Sequence, residues 1–238
     1  TSVSVGRCFG LILARRLITF WEERGKPDAF HIIEPGAHTG ALCADILGEI
    51  KSCSPKCFNT LHYHLIETSS SLQEAQHKTL SPAFEGKFSC HTSLKKLQGL
   101  HGVVLSNELI DAFPVDLVKF ERGQWWQLYV EDLGEKLQFI DQQPAGNALR
   151  AFCQSMGKDF PDGYITEFSP GIRNFARDAA AALASGLMIT IDYGHHAEDY
   201  YHPARTTGTL QTYHQHQKSD NPLQYPGQID ITCHVDFT

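Results

Sequence analysis

Asn107, Glu108 and Asp111 place an amide and two carboxylates within five residues, directly after the apolar run Val103-Val104-Leu105-Ser106. Open α/β sheets bind ligands beyond the carboxyl ends of their strands. At such an end these groups suit a cationic donor and a nitrogen acceptor. A helix cap at Asn107 with a first-turn Glu108 is the plainer alternative, but it accounts less well for Asp111. A second group, Glu34-Pro35-Gly36-Ala37-His38-Thr39-Gly40, follows the apolar run Phe30-His31-Ile32-Ile33 and opens a helical stretch ending near Ile50. Strand, glycine-bearing turn and helix start together present backbone N–H groups to a bound cofactor. In the dinucleotide fingerprint G-x-G-x-x-G/A the second glycine lets the backbone approach a pyrophosphate. That position is His38 here, so the turn favours S-adenosylmethionine, which carries no phosphate, over a dinucleotide. Glu67 closes a second apolar strand 33 residues after Glu34, where a carboxylate can accept hydrogen bonds from ribose hydroxyls. A surface glutamate at a strand end is the competing reading.

Other constellations are weaker. His195, His196, His202, His214, His216 and His234 crowd the end of the chain near Asp192, Asp230 and Asp236. Nothing in their spacing resembles H-E-x-x-H, and they read as surface loop histidines without a metal. His62 and His64 alternate with apolar residues and read as satisfied, partly buried side chains. No Gly-x-Ser-x-Gly nucleophile elbow is present. Trp125-Trp126 reads as packing in an insert and not as a base-stacking platform. Cys53 and Cys57 have no second pair at zinc spacing. Seven irregularly spaced cysteines favour reduced thiols over a disulfide framework.

The elements that must position these residues follow from periodicity. Apolar residues at helical spacing run from Val5 to Arg24, stopped by Gly25 and Pro27. Strands are expected at Phe30–Glu34, Leu61–Glu67 and Val103–Ser106, separated by helical stretches, as in a parallel sheet. Val115–Phe120 and Gln124–Val130 flank Glu121-Arg122-Gly123 as a hairpin, which Tyr164–Phe168 extends. The alanine-rich Gly171–Ser185 reads as a helix and Leu187–Asp192 as the next core strand. From Gly194 onward the chain is polar with little periodicity and reads as loops. The expected fold is α/β: a Rossmann-like sheet with helices on both faces and an inserted hairpin region at about 115–168, in a single domain over 1–238.

Length and 42% hydrophobic content suit one sizeable soluble core. No apolar run approaches the ~18 residues of a membrane span, and the start, Thr1-Ser2-Val3, shows no signal-peptide pattern. A net charge of −7 argues against general affinity for nucleic acid or anionic membranes. It suits a cationic protein substrate, although solubility alone explains it more simply.

The string Ser106-Asn107-Glu108-Leu109-Ile110-Asp111-Ala112-Phe113-Pro114-Val115 resembles the signature of the MidA-type methyltransferases, which include a mitochondrial complex I assembly factor that methylates arginine. Further likenesses stand in order at Thr1-Ser2, Phe9-Gly10, Asp192-Tyr193-Gly194 and Gly208-Thr209-Leu210. They continue at Asp220-Asn221-Pro222-Leu223, Pro226-Gly227 and Asp230-Ile231-Thr232-Cys233-His234-Val235-Asp236-Phe237. The likeness covers essentially the whole chain and departs at His38, where the family usually has glycine. It implies a methyltransferase domain with residues missing ahead of Thr1 and beyond Thr238. It implies S-adenosyl-L-methionine as cofactor, held by Glu34, Gly36, Ala37, His38, Gly40, Glu67, Ser93, Leu94 and Asn107. The expected catalytic set is Asn107, Glu108 and Asp111, acting on a protein arginine, with a respiratory-complex subunit as partner. The expected setting is a bacterial cytoplasm, or a mitochondrial matrix in a eukaryote. Two alternatives stay open: a catalytically weak assembly protein that keeps the fold, and a nucleotide-dependent oxidoreductase.

Overall fold

A computed structural model of the chain describes residues 6–214, 217–219 and 221–238. Thr1-Ser2, the expected helix start at Val5, His216 and Asp220 lie outside the described residues. The chain forms two compact units, Thr1–Leu109 with Phe175–Ile191, and Ile110–Asn174 with Asp192–Thr238.

The first unit begins with helix α1 (Cys8–Glu23), whose Leu13, Leu17 and Trp21 recur every fourth residue and are buried on one face. Trp21 Nε1 then donates to the Pro27 carbonyl at 3.0 Å, fixing the turn into β1 (Phe30–Pro35). The elements that follow are α2 (Ala41–Cys53), α3 (Pro55–Thr60), β2 (Leu61–Ile66), α4 (Ser70–Phe84), β3 (Phe88–His91) and β4 (Leu100–Asn107). Helix α6 (Pro170–Ala182) leads into β9 (Leu183–Ile191). The five strands pair in the order β3-β2-β1-β4-β9, every pair parallel. Order reverses at β1, which is flanked by β2 and β4; such a reversal opens a crevice at the carboxyl ends of the strands. Side chains alternate between faces. Phe30, Ile32, Leu61, Tyr63, Leu65, Val103 and Leu105 therefore share one core with α1, α2 and α4, and all are at most 2% exposed.

One boundary differs from expectation. β9 starts at Leu183, four residues early, and α6 ends at Ala182 instead of Ser185. Local alanine content favours helix, but Leu183–Gly186 pairs with Leu100–Gly102 across a register shift between Leu100 and His101. The inter-strand ladder overrides the local preference.

In the second unit, β5 (Asp116–Glu121), β6 (Gln124–Asp132), β7 (Leu137–Gln142) and β8 (Tyr164–Phe168) form an antiparallel sheet in the order β7-β6-β5-β8. Arg122 and Gly123 join β5 to β6 with φ of 51° and 74°, the paired positive values of a type I′ hairpin turn. Helix α5 (Asn147–Met156) packs Leu149 and Cys153 against Val118, Phe120, Trp125 and Tyr164.

The segment after Gly194 is not the run of loops its composition suggests. It contains β10 (Gly194–His195), α7 (Ala197–Tyr200), β11 (Gln211–His214), β12 (Gln217–Ser219), β13 (Asp230–Thr232) and β14 (Val235–Asp236). These strands span two to four residues, too few for alternation to show in sequence. Glu167, 2% exposed, anchors them by accepting hydrogen bonds from the Thr209 and Leu210 N–H groups at 2.6 and 2.8 Å and from the Tyr200 hydroxyl at 3.1 Å. Part of the Gly208-Thr209-Leu210 likeness is thus a clamp on a buried carboxylate. The seven cysteines are free thiols. Among the described residues no helix is long and apolar enough to cross a membrane.

Candidate functional site at the strand ends

The glycine turn lies between β1 and α2. Gly36, at φ 71°, donates its N–H to the Ile66 carbonyl at 3.0 Å, tying the turn to the end of β2. A Cβ added there would meet Leu109 Cδ1 at 2.6 Å, so both conformation and space require glycine. His38 adopts φ 45°, within the left-handed region that histidine tolerates better than most residues. Its ring is exposed, while its carbonyl accepts from Gln76 Nε2 of α4 at 2.8 Å. Ala37 is buried. Gly40, the N-cap of α2, offers no side chain to the first turn, and such N–H groups take a ligand readily.

Glu34 behaves differently from a simple ligand residue. It is 5% exposed, and its Oε2 accepts from the Tyr63 hydroxyl at 2.6 Å. Burial pushes its carboxyl up to about 7, against the opposing pull of the Tyr63 hydrogen bond. Glu67 stands one residue beyond β2, its N–H donating to the His91 carbonyl at 2.8 Å. Its Oε1 accepts from the Ser69 N–H at 2.9 Å and its carbonyl from Gln73 Nε2 at 2.6 Å, so the start of α4 holds it in place. Ser93 caps a 3-10 turn, Leu94–Lys96, by accepting from the Lys95 N–H at 3.2 Å, and Leu94 is buried.

At the end of β4, Asn107 Oδ1 is buried without a hydrogen-bond partner among the described residues. A buried acceptor left unmade costs about 1–3 kcal/mol, a cost that a donor or cation on a ligand would remove. Glu108 follows at φ 44°, its N–H donating to the Ile191 carbonyl at 2.9 Å. No helix starts here, so the helix-cap alternative for Asn107 is replaced by a turn. The Glu108 bond prolongs the β4–β9 ladder past the strand, and Pro114 lies where a helix would need another N–H donor.

Asp111 belongs to the second unit. The Ile110 and Asp111 N–H groups both donate to Asp192 Oδ2, at 2.9 and 3.2 Å, and the Tyr193 N–H to Asp192 Oδ1 at 2.9 Å. The Asp111 carbonyl accepts from the Cys233 N–H at 2.8 Å. Asp192 thus organises the segment carrying Asp111. Sequence reasoning misses that role, although an aspartate closing a strand ahead of Tyr-Gly is a usable signal. It misses Gln76 and Tyr63 too; nothing local in sequence marks either.

Five of the histidines form a chain of three and a separate pair. His31 Nδ1 lies 3.0 Å from His64 Nε2, and His64 Nδ1 lies 3.1 Å from His91 Nε2, a chain across β1, β2 and β3. Burial, with neighbouring imidazoles, pushes His64 down to about 3. His62 meets Ser89 Oγ at 2.8 Å. In the second unit His195 Nε2 lies 3.0 Å from His234 Nδ1, and both are half-buried, His195 in β10 and His234 in the link between β13 and β14. Among the described residues no three His, Cys, Asp or Glu side chains are placed to hold a metal ion.

The glycine turn and the helix start without a capping side chain present backbone N–H groups, and Asn107 Oδ1 is a buried acceptor with no described partner. Residues 12–238 match a family model described as "Putative S-adenosyl-L-methionine-dependent methyltransferase". The chain is 28% identical over 270 residues to the mitochondrial protein arginine methyltransferase NDUFAF7 of Homo sapiens, covering 100% of this chain and 57% of that protein. It is 25% identical over 267 residues to the Drosophila melanogaster homolog, with the same coverage. A crystal structure of a Burkholderia thailandensis protein bound to S-adenosyl-homocysteine superposes with a TM-score of 0.87 at 30% identity, covering 100% of this chain and 60% of that one. The chain therefore spans somewhat more than half the length of the relatives it matches, and its first unit has their Rossmann-like fold.

Proposed function

The chain belongs to that S-adenosyl-L-methionine-dependent methyltransferase family, and from this premise we propose that it methylates a side-chain nitrogen of a protein, arginine being the acceptor that its relatives' names indicate. The observation that carries the reading is Asn107 Oδ1, a buried acceptor with no described partner at the end of β4. Gly36, Ala37, His38 and Gly40 would line the cofactor with backbone, and Glu67 would accept from its ribose. Ser93 and Leu94 would flank the base, and Glu34 would stand behind the turn. Bound there, the cofactor supplies an activated methyl group on sulfur. The chain's own work is positioning, which dominates in-line displacement. Glu108 and Asp111 would orient a guanidinium through charge-assisted hydrogen bonds. A carboxylate of that pair would accept the proton that the acceptor nitrogen sheds on taking the methyl group.

The proposed acceptor is a subunit of a respiratory complex, in a bacterial cytoplasm or a mitochondrial matrix. The test is transfer of a labelled methyl group from S-adenosyl-L-methionine into arginine-containing proteins of a cell extract, beside calorimetric titration of the cofactor. Label recovered as methylarginine is expected. Cofactor binding with no label in any protein would reduce the chain to a scaffold, and absence of binding would remove the proposal altogether.

A further inference from the structure

The second unit contains a groove of about 360 Å³ whose apolar lining has no part in the proposed cofactor binding and methyl transfer. Its apolar wall includes Val130, Phe139, Leu210 and Ile231, and Asp111 and Asp116 line the same space. Val130 of β6 and Phe139 of β7 are directly paired across the hairpin. By strand alternation they occupy the face opposite Trp125 and Gln127, which are buried. The hairpin's packing is thus satisfied without them, yet they are 51% and 38% exposed, and Ile231 of β13 is 43% exposed. Large apolar side chains gathered around one concavity mark an interaction site more often than chance exposure does. The volume sits at the small end of the roughly 300–1,000 Å³ range of ligand pockets, which is room for one or two side chains and not for a domain face.

Charge selects the occupant. The groove has Asp111 and no lysine or arginine among its lining residues, in a chain of net charge −7. Asp116 turns its carboxylate to Gln127 Nε2, which donates to its Oδ1 at 3.0 Å on the opposite face, so the acidic residue that bears on the occupant is Asp111. Asp111 stands only four residues along the chain from Asn107. We propose that this groove is a sequence-selecting subsite for the acceptor: it takes an aliphatic side chain next to the cationic acceptor residue of an extended peptide. This rests on the methyl-transfer reading for its purpose, but not for its binding test.

The test uses labelled peptides with a central arginine flanked by leucines, the same arginine flanked by serines, and citrulline flanked by leucines. Binding is read by fluorescence anisotropy against the wild-type chain, Phe139→Asp and Phe139→Leu. The leucine-flanked arginine peptide is expected to bind at least about tenfold more tightly than either of the others, given one buried aliphatic side chain. Phe139→Asp should erase the advantage over the serine-flanked peptide, Phe139→Leu should retain most of it, and the Kd for S-adenosyl-L-methionine should stay unchanged in both. Equal binding of the two arginine peptides, or an advantage that survives Phe139→Asp, overturns the proposal. So does a sedimentation shift to monomer on Phe139→Asp, which would give the groove to a second copy of the chain. If leucine-flanked arginine binds in this way but is never methylated, the methyl-transfer reading fails and the subsite stands. If both arginine peptides are methylated equally, the reverse holds.

Discussion

Glu34, proposed to stand behind the cofactor turn, also bears on the stability of the fold. The unfolded chain releases this proton near 4.5 and the folded chain near 7, so between those values the folded state holds more protons. Its contribution to stability is full below pH 4.5 and falls as pH rises through about 7, by roughly 3 kcal/mol in all. Glu34→Gln should flatten that fall in a plot of Tm against pH, and an unaltered slope would place the titration elsewhere. Asn107 permits the opposite kind of test. Asn107→Val removes a buried acceptor with no described partner, so the ligand-free protein should melt at the same or a higher temperature. Cofactor affinity should nevertheless drop about tenfold, the worth of one charge-assisted hydrogen bond. A variant that binds normally takes Asn107 out of the site. At this scale the sequence displays the glycine turn and the acidic residues, because backbone requirements and charge are properties of single letters. It does not display that Asn107 lacks a partner or that Tyr63 reaches Glu34, since both depend on which side chains the sheet brings together.

Among elements, the parallel strands are easiest to recognise. Val103-Val104-Leu105-Ser106 and Leu61–Ile66 are buried runs in a sheet covered by helices, and the hairpin at Arg122-Gly123 carries its own turn signature. The start of β9 is hidden because Leu183-Ala184-Ser185 has no strand preference of its own and takes its conformation from β4. The histidine chain across β1, β2 and β3 has an energetic consequence. Below pH 6.5 the unfolded chain protonates at His64, whereas the folded chain stays neutral to about 3. The contribution of His64 is complete above 6.5 and is lost as pH falls toward 3. Replacing His64 with asparagine should make the acid limb of the Tm profile shallower. An acid limb of unchanged steepness would mean that His64 titrates alike in both states.

For the molecule as a whole, net charge and connectivity matter most. At −7, encounter with a cationic peptide should be steered by the field and screened by salt, with a Debye length near 10 Å at 0.1 M. Raising ionic strength should slow association with the leucine-flanked arginine peptide several-fold and change dissociation little, as read by stopped-flow anisotropy. Equal slowing of both steps would argue against steering. That the segment beyond Asp192 joins Ile110–Asn174 in one compact unit is not legible in the order of apolar runs, because the join is made by Glu167 with Thr209 and Leu210, more than forty residues apart in sequence.

The pairing of β4 with β9 also sets a clock on synthesis. Leu100 and Leu183 are partners separated by 83 positions, and all of Ile110–Asn174 lies between them. At roughly 5–20 residues per second, a ribosome needs about 4–17 s to make that stretch. For that interval the β4 edge, with Val103, Val104 and Leu105, waits for its neighbour while the inserted residues are already emerging. Chaperone capture of the nascent chain should therefore peak after Asn107 has left the exit tunnel and decline once Ile191 has emerged.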